Sequence, residues 1–126
     1  MESWRGRGLG TIIAERRLYL DDHGIVWVRI GTPVTSEEAP HEAGCPYQID
    51  GLGSGKVRFI FGVDRVQALW LALQMVGSDL YNSAEYKAGR LKAFLESGPN
   101  GDLGFPVIRG MEDLLPQCND DGLVTH

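Results

Sequence analysis

Between Lys56 and Tyr81 the spacing of apolar residues changes from every second position to every third or fourth, and Asp64 stands at the change. A period of two puts side chains on alternate faces of a strand, and a period near 3.6 lines one side of a helix. Lys56-Val57-Arg58-Phe59-Ile60-Phe61-Gly62 therefore reads as a strand, with Val57, Phe59 and Phe61 on its apolar face and Lys56, Arg58 and Ile60 on the other. An aspartate can accept the orphan N–H groups of a first helical turn, so Asp64 starts a helix at Arg65. Val66, Leu69, Trp70, Leu73, Val76 and Leu80 fall on one arc, with Gln67, Gln74 and Ser78 opposite. The spacing predicts a helix over 65–81 that lays this arc, Trp70 included, on the apolar face of the sheet. Leu71 and Met75 lie near the polar side and widen the apolar surface. Two readings of that flank stand: partial cover by the C-terminal segment, or a subunit or partner interface.

Upstream, Thr11 to Leu20 mixes β-branched and aromatic residues with charges, and Ile25 to Ile30 repeats the pattern after Asp21-Asp22-His23-Gly24. This predicts a hairpin whose turn uses Gly24 for a positive φ. Val26, Val28 and Ile30 share one face; Ile25, Trp27 and Arg29 share the other. Gly31 to Gly44 has two prolines and no period, and reads as a long loop. Cys45 to Asp50 is a further strand, with Pro46 at its start or on an edge. The expected fold is α+β, a four-stranded antiparallel β-meander with strands near 11–20, 25–31, 45–50 and 56–62. One long helix packs on one face, and an irregular C-terminal segment wraps the remaining edge. Residues 1–10 form a flexible lead-in, 11–108 the single domain and 109–126 an acidic tail. Asn82 with Glu85 can open a second short helix, and 91–95 fits either strand or helix. The 126 residues are enough for one hydrophobic core.

The 12 basic and 17 acidic residues leave a net charge of −5. From Gly110 to His126 there are four acidic side chains and no Lys or Arg, a solvated surface that would repel a polyanion. Nucleic-acid binding by a basic face is therefore not expected. No apolar run approaches a membrane span, and no secretory pattern follows Arg5 and Arg7. Cys45 and Cys118 make no CxxC pair; Cys45 reads as a small buried residue, and a disulfide between the two is not indicated. The expectation is a soluble cytoplasmic chain without cofactor or metal.

The chemistry-bearing residues are sparse. Gly51-Leu52-Gly53-Ser54-Gly55-Lys56 has the glycines of a phosphate loop, but it leads into a strand rather than a helix, and Val57 follows Lys56. It reads as a turn. His23, His41 and His126 share no element, so their spacing supports no metal site. No serine sits on a nucleophile elbow, and no catalytic residue is assigned. The sheet face carrying Trp27 is the best candidate, with Trp27 expected opposite Ile60 and flanked by Arg17, Arg29 and Arg58. An aromatic among arginines can recognise a partner, or it can simply pack on their stems.

Four segments look familiar together: Ile13-Ala14-Glu15-Arg16-Arg17-Leu18; Cys45-Pro46-Tyr47-Gln48-Ile49 with Gly51-Leu52-Gly53; Gly62-Val63-Asp64 leading into Val66-Gln67-Ala68-Leu69; and Gly101-Asp102-Leu103-Gly104-Phe105-Pro106. They resemble a family of short bacterial proteins classed only as a domain of unknown function. The resemblance spans Ile12 to Pro106 and implies a bacterial, cytoplasmic, stand-alone domain, with no activity or site residue to carry over. Two functional expectations follow. One is a non-enzymatic protein-binding module, an adaptor or an immunity-type protein, using Trp27, Arg29 and Arg58 or the Leu71/Met75 flank. The alternative is a small enzyme or ligand binder with a pocket between the sheet, loop 31–44 and segment 101–106, beside His41, Glu42 and Asp102. Self-association as a homodimer is a third.

Overall fold

The computed structural model describes residues 8–21, 23–94 and 98–106. Most of the lead-in, Trp4, Asp22 and everything from Val107 on, including the acidic tail, Cys118 and His126, lie outside the described residues. The elements run β1 (Ile12–Leu20), β2 (Ile25–Gly31), β3 (Val34–Ser36), β4 (Ala39–Asp50), β5 (Arg58–Gly62), α1 (Arg65–Tyr81), α2 (Ala84–Lys87) and β6 (Leu91–Lys92). The architecture is α+β, an antiparallel sheet of six strands with α1 packed against it. The expected succession of 11–20, 25–31, 45–50 and 56–62 is present as β1, β2, β4 and β5.

One strand, β3, falls where a loop was expected, and β6, at Leu91–Lys92, takes the strand of the two readings left open for 91–95. The segment expected to be a loop at 31–44 is mostly β3 and the first half of β4. Val34 pairs with Gly44, and Thr35 with Ala43. The same stretch of β4 holds β5 on its other side, through Ala43 with Gly62 and Gly44 with Phe61. Since β2 pairs with Trp27 opposite Asp50 and Ile30 opposite Tyr47, β3 prolongs the line of β2 past Thr32 and Pro33. At the far side, β6 joins β1 through Tyr19 with Lys92 and Leu20 with Leu91. Between β1 and β2 it is His23, at φ 74, that takes the left-handed conformation rather than Gly24. The glycine-rich turn behaves as read, and Gly51 is required there: its φ is 104, and a Cβ would stand 2.6 Å from the Ile25 carbonyl oxygen.

The core lies between α1 and one sheet face. Leu18, Val26, Val28, Ile30, Ala43, Cys45, Tyr47, Ile49 and Leu91 enter it from the sheet. α1 presents Ala68, Ala72, Val76 and Leu80, each 0% exposed. This is an i, i+4 ridge, and its two alanines let the helix sit close to the strands. The ridge corrects the arc read from the sequence, because Val66 is 77% exposed and Trp70 52% exposed. β5 is also turned over. Ile60 packs on the core as the partner of Cys45, while Phe59 and Phe61 stand on the opposite face. Gly44 makes room for them; a Cβ there would be 3.1 Å from the Phe61 ring and 3.3 Å from that of Phe59.

Asp64 caps α1 as expected, its carboxylate accepting from Gln67 N at 2.8 Å, and Gln67 Oε1 accepts from Val63 N at 2.8 Å. Asn82 ends α1 instead of opening the next helix; Ser83 caps α2 by accepting from Tyr86 N. Segment 98–106 is strapped down. Tyr86 donates to Gly101 O at 2.9 Å, Asn100 donates to Tyr86 O at 2.8 Å, and Leu103 N donates to Tyr81 Oη at 2.8 Å.

Candidate functional site

The face of the sheet turned away from α1 carries Glu15, Arg17 and Tyr19 of β1, Ile25, Trp27 and Arg29 of β2, and Gln48 and Asp50 of β4. Cross-strand register sets Trp27 between Arg17 and Asp50. Arg29 donates through Nε to Glu15 at 3.2 Å and through Nη1 to Asp50 at 3.0 Å and to Gln48 at 3.2 Å. The hydrogen bond to Asp50 is the largest of the effects that hold Arg29 above its ordinary pKa. Two guanidinium groups flank the indole: Arg29 at 5.6 Å and Arg17 at 5.8 Å from the ring centroid. Arg17 also lies 5.5 Å from the Tyr19 ring, and it has no carboxylate partner among the described residues. The structure thus brings Trp27 together with Arg17 and Arg29 as expected and adds Tyr19. It sends Arg58, and with it Ile60, to the other face. Near Gly31 the open face is crossed by Gly8 to Thr11, which with Thr32, Val34, Pro46 and Phe59 line a cleft of about 400 Å³.

Arg58 belongs to a polar cleft on the helix side. This space of about 320 Å³ is bounded by the turn from Leu52 to Lys56, by Tyr47 and Arg58, and by Asp79, Ser83 and Glu85. Tyr47 donates to Asp79 Oδ2 at 2.5 Å, and Arg58 Nη1 stands 3.3 Å from the same oxygen. Burial, followed by the bond to Asp79, pushes the Tyr47 phenol far above its ordinary pKa. Sequence spacing could not assemble this group. Its one visible signal is Asp79, an acid one turn beyond Met75 on a helix otherwise apolar on that side.

Asp102 has a structural occupation. It accepts from Tyr81 Oη at 3.1 Å and from Gly104 N at 2.8 Å, which shapes the turn beneath buried Leu103. Arg16 locks the same turn by donating to Leu103 O at 3.1 Å and Gly104 O at 2.9 Å, with its guanidinium 4.7 Å from the Phe105 ring centroid. A third cleft, about 230 Å³, opens beside it between Ala14, Val28, Ile30, Leu73, Phe105 and Pro106. His41 and Glu42 stand exposed on β4. Neither they nor Asp102 line any of these three clefts. Leu71 and Met75 are half-buried on α1. Cys45 is a buried free thiol. Among the described residues no group of three or more His, Cys, Asp or Glu is placed to hold a metal ion, and no helix is long and apolar enough to cross a membrane.

An antiparallel sheet with a core-packed helix on one face and an aromatic, arginine-bearing opposite face defines the class of the molecule. Residues 14–107 match the family described as Domain of unknown function (DUF6968), and the chain belongs to that family. No curated protein and no solved structure matches it.

Proposed function

We propose that the domain is a non-enzymatic protein-interaction module whose open sheet face receives a carboxylate-bearing segment of another protein. The observation that supports this reading is Arg17, held over Tyr19 and Trp27 without an acidic partner among the described residues. A guanidinium positioned by aromatic rings keeps its donor fork for a bidentate carboxylate while losing little side-chain freedom on binding. Arg29, by contrast, is occupied by Glu15 and Asp50 and serves to hold the indole in place. The setting proposed is a bacterial cytoplasm, in an adaptor or immunity-type role. The test is cross-linking and mass spectrometry in the native host, comparing the wild type with Arg17→Glu, Trp27→Ala and, as a control on the exposed helix flank, Val66→Asp. One partner lost from both face variants and kept by the control supports the reading; a partner kept by both face variants ends it.

A second reading rests on the polar cleft, where Tyr47, Arg58 and Asp79 converge beside Lys56 and Glu85. Its volume and mixed charge suit a small zwitterion. A thermal-shift series with free amino acids, repeated on Asp79→Asn, decides it: stabilisation of the wild type that the variant loses is the expected result.

A further inference from the structure

We propose that residues 107–115, directly beyond the strap, dock on the exposed flank of α1 and run antiparallel to it, covering the stripe of Val66, Trp70 and Leu73. This flank is separate from the open sheet face, and the inference does not depend on that reading.

Val66, Trp70, Leu73 and Gly77 stand at i, i+4, i+7 and i+11 of α1, so they line one side of the helix. Exposure grades along this line. Gly77 is buried and Leu73 is half-buried against the core, whereas Trp70 is 52% and Val66 77% exposed. The strap accounts for the covered end. Asp102 and Leu103 meet the Tyr81 hydroxyl. One turn back along α1, a Cβ on Gly77 would run into the Pro106 carbonyl oxygen and stand 3.4 Å from Cβ of Phe105. Phe105 and Pro106 also line the third cleft together with Leu73. Between Asp102 and Pro106 the chain therefore advances along α1 from Tyr81 toward the helix N-terminus. Trp70 and Val66, the exposed part of the stripe, lie directly ahead of it.

This direction selects the chain's own next segment as the occupant, and the sequence of that segment fits. Val107, Ile108, Met111, Leu114 and Leu115 recur at the spacing of one helical face. Arg109, Glu112 and Asp113 fall between them, and Pro116 closes the run. The lengths agree as well. At 1.5 Å per residue the stripe from Leu73 to Val66 is about 10 Å long, and 107–115 in helical form spans about 12 Å. Val107 then leaves Pro106 beside Leu73, Met111 comes level with Trp70, and Leu114 comes level with Val66. In this arrangement residues 107–115 are part of the domain rather than of the acidic tail.

The experiment is acrylamide quenching of tryptophan fluorescence in the purified full chain. Met111→Asp combined with Leu114→Asp is expected to increase quenching and to shift emission to longer wavelength. That difference should vanish in a Trp70→Phe background, which separates Trp70 from Trp4 and Trp27. Disulfide formation under mild oxidant reads the register in a Cys118→Ser background, where Cys45 is buried and does not compete. Val66→Cys paired with Leu114→Cys should close within one chain faster than Val66→Cys paired with Asp113→Cys. The two loops are almost equal in length, so only a docked segment distinguishes them. Quenching that the paired aspartates leave unchanged, or equal closure rates for the two cysteine pairs, would overturn the proposal. Links between two chains in place of links within one would assign the stripe to a second copy and overturn it as well.

Discussion

Tyr81 joins two parts of the chain through one oxygen, donating to Asp102 and accepting from Leu103 N. Tyr81→Phe keeps the packing but leaves a buried N–H without its acceptor, which costs about 1–3 kcal/mol. Equilibrium urea unfolding should show that loss with little change in m. Burial sets a second residue-scale behaviour. It pushes the Cys45 thiol from 9.0 up to about 11, so the unfolded chain gives up this proton before the folded one does. Stability is whole below about pH 9 and falls as pH rises toward 11. Tyr86, raised from 10.0 to about 12 by burial first and by the charge of Asp102 second, extends the decline upward. Urea midpoints followed from neutral to alkaline pH should therefore drop above about pH 9, and Cys45→Ala should flatten the first part of that drop. Cys45 as a buried thiol was legible from its apolar surroundings. The company of Arg58 was not, because strand parity only says which residues share a face within one strand. The register with β4 decides whether that face meets Trp27 or α1.

At the scale of elements, α1 was legible in its limits and its cap but not in its orientation. Large residues dominate a helical wheel, whereas close approach to a sheet selects small ones. The alanine ridge therefore faces inward, and Trp70 is displaced to the flank. The same reasoning yields a prediction against propensity. Glycine inside a helix costs about 1 kcal/mol relative to alanine. Gly77→Ala nevertheless should destabilise, because the added Cβ would collide with the Pro106 carbonyl oxygen. A lower urea midpoint, with earlier proteolysis near residues 98–106, is the expected outcome; a stabilised variant would mean that the strap does not press on α1. The hairpin of β3 and β4 escaped sequence reading because Pro33, Pro40, Glu37 and Glu38 hide any alternation. Its strands are specified by the pairing they inherit from β2 and the second half of β4. The polar cleft escaped for a related reason: Tyr47 and Asp79 are 32 positions apart and meet only after α1 docks.

For the whole molecule, most pairing joins consecutive strands, β1 with β2, β3 with β4 and β4 with β5, but one pairing spans the domain. β1 closes against β6 at the other end of the described domain. Such a topology pays its loop-closure entropy before contacts reward it, so refolding should take milliseconds to seconds rather than microseconds. Stopped-flow tryptophan fluorescence measures this directly, since Trp27 sits on a central strand.

The burial of Cys45 at 0% exposure has one more consequence. Both layers must part before a labelling reagent can reach its sulfur. In a Cys118→Ser background, the rate at which a thiol reagent modifies the native protein becomes a clock for the opening of sheet from helix. When reclosing outpaces labelling, that rate divided by the rate for an exposed thiol is the opening equilibrium constant itself, read without denaturant from a single atom.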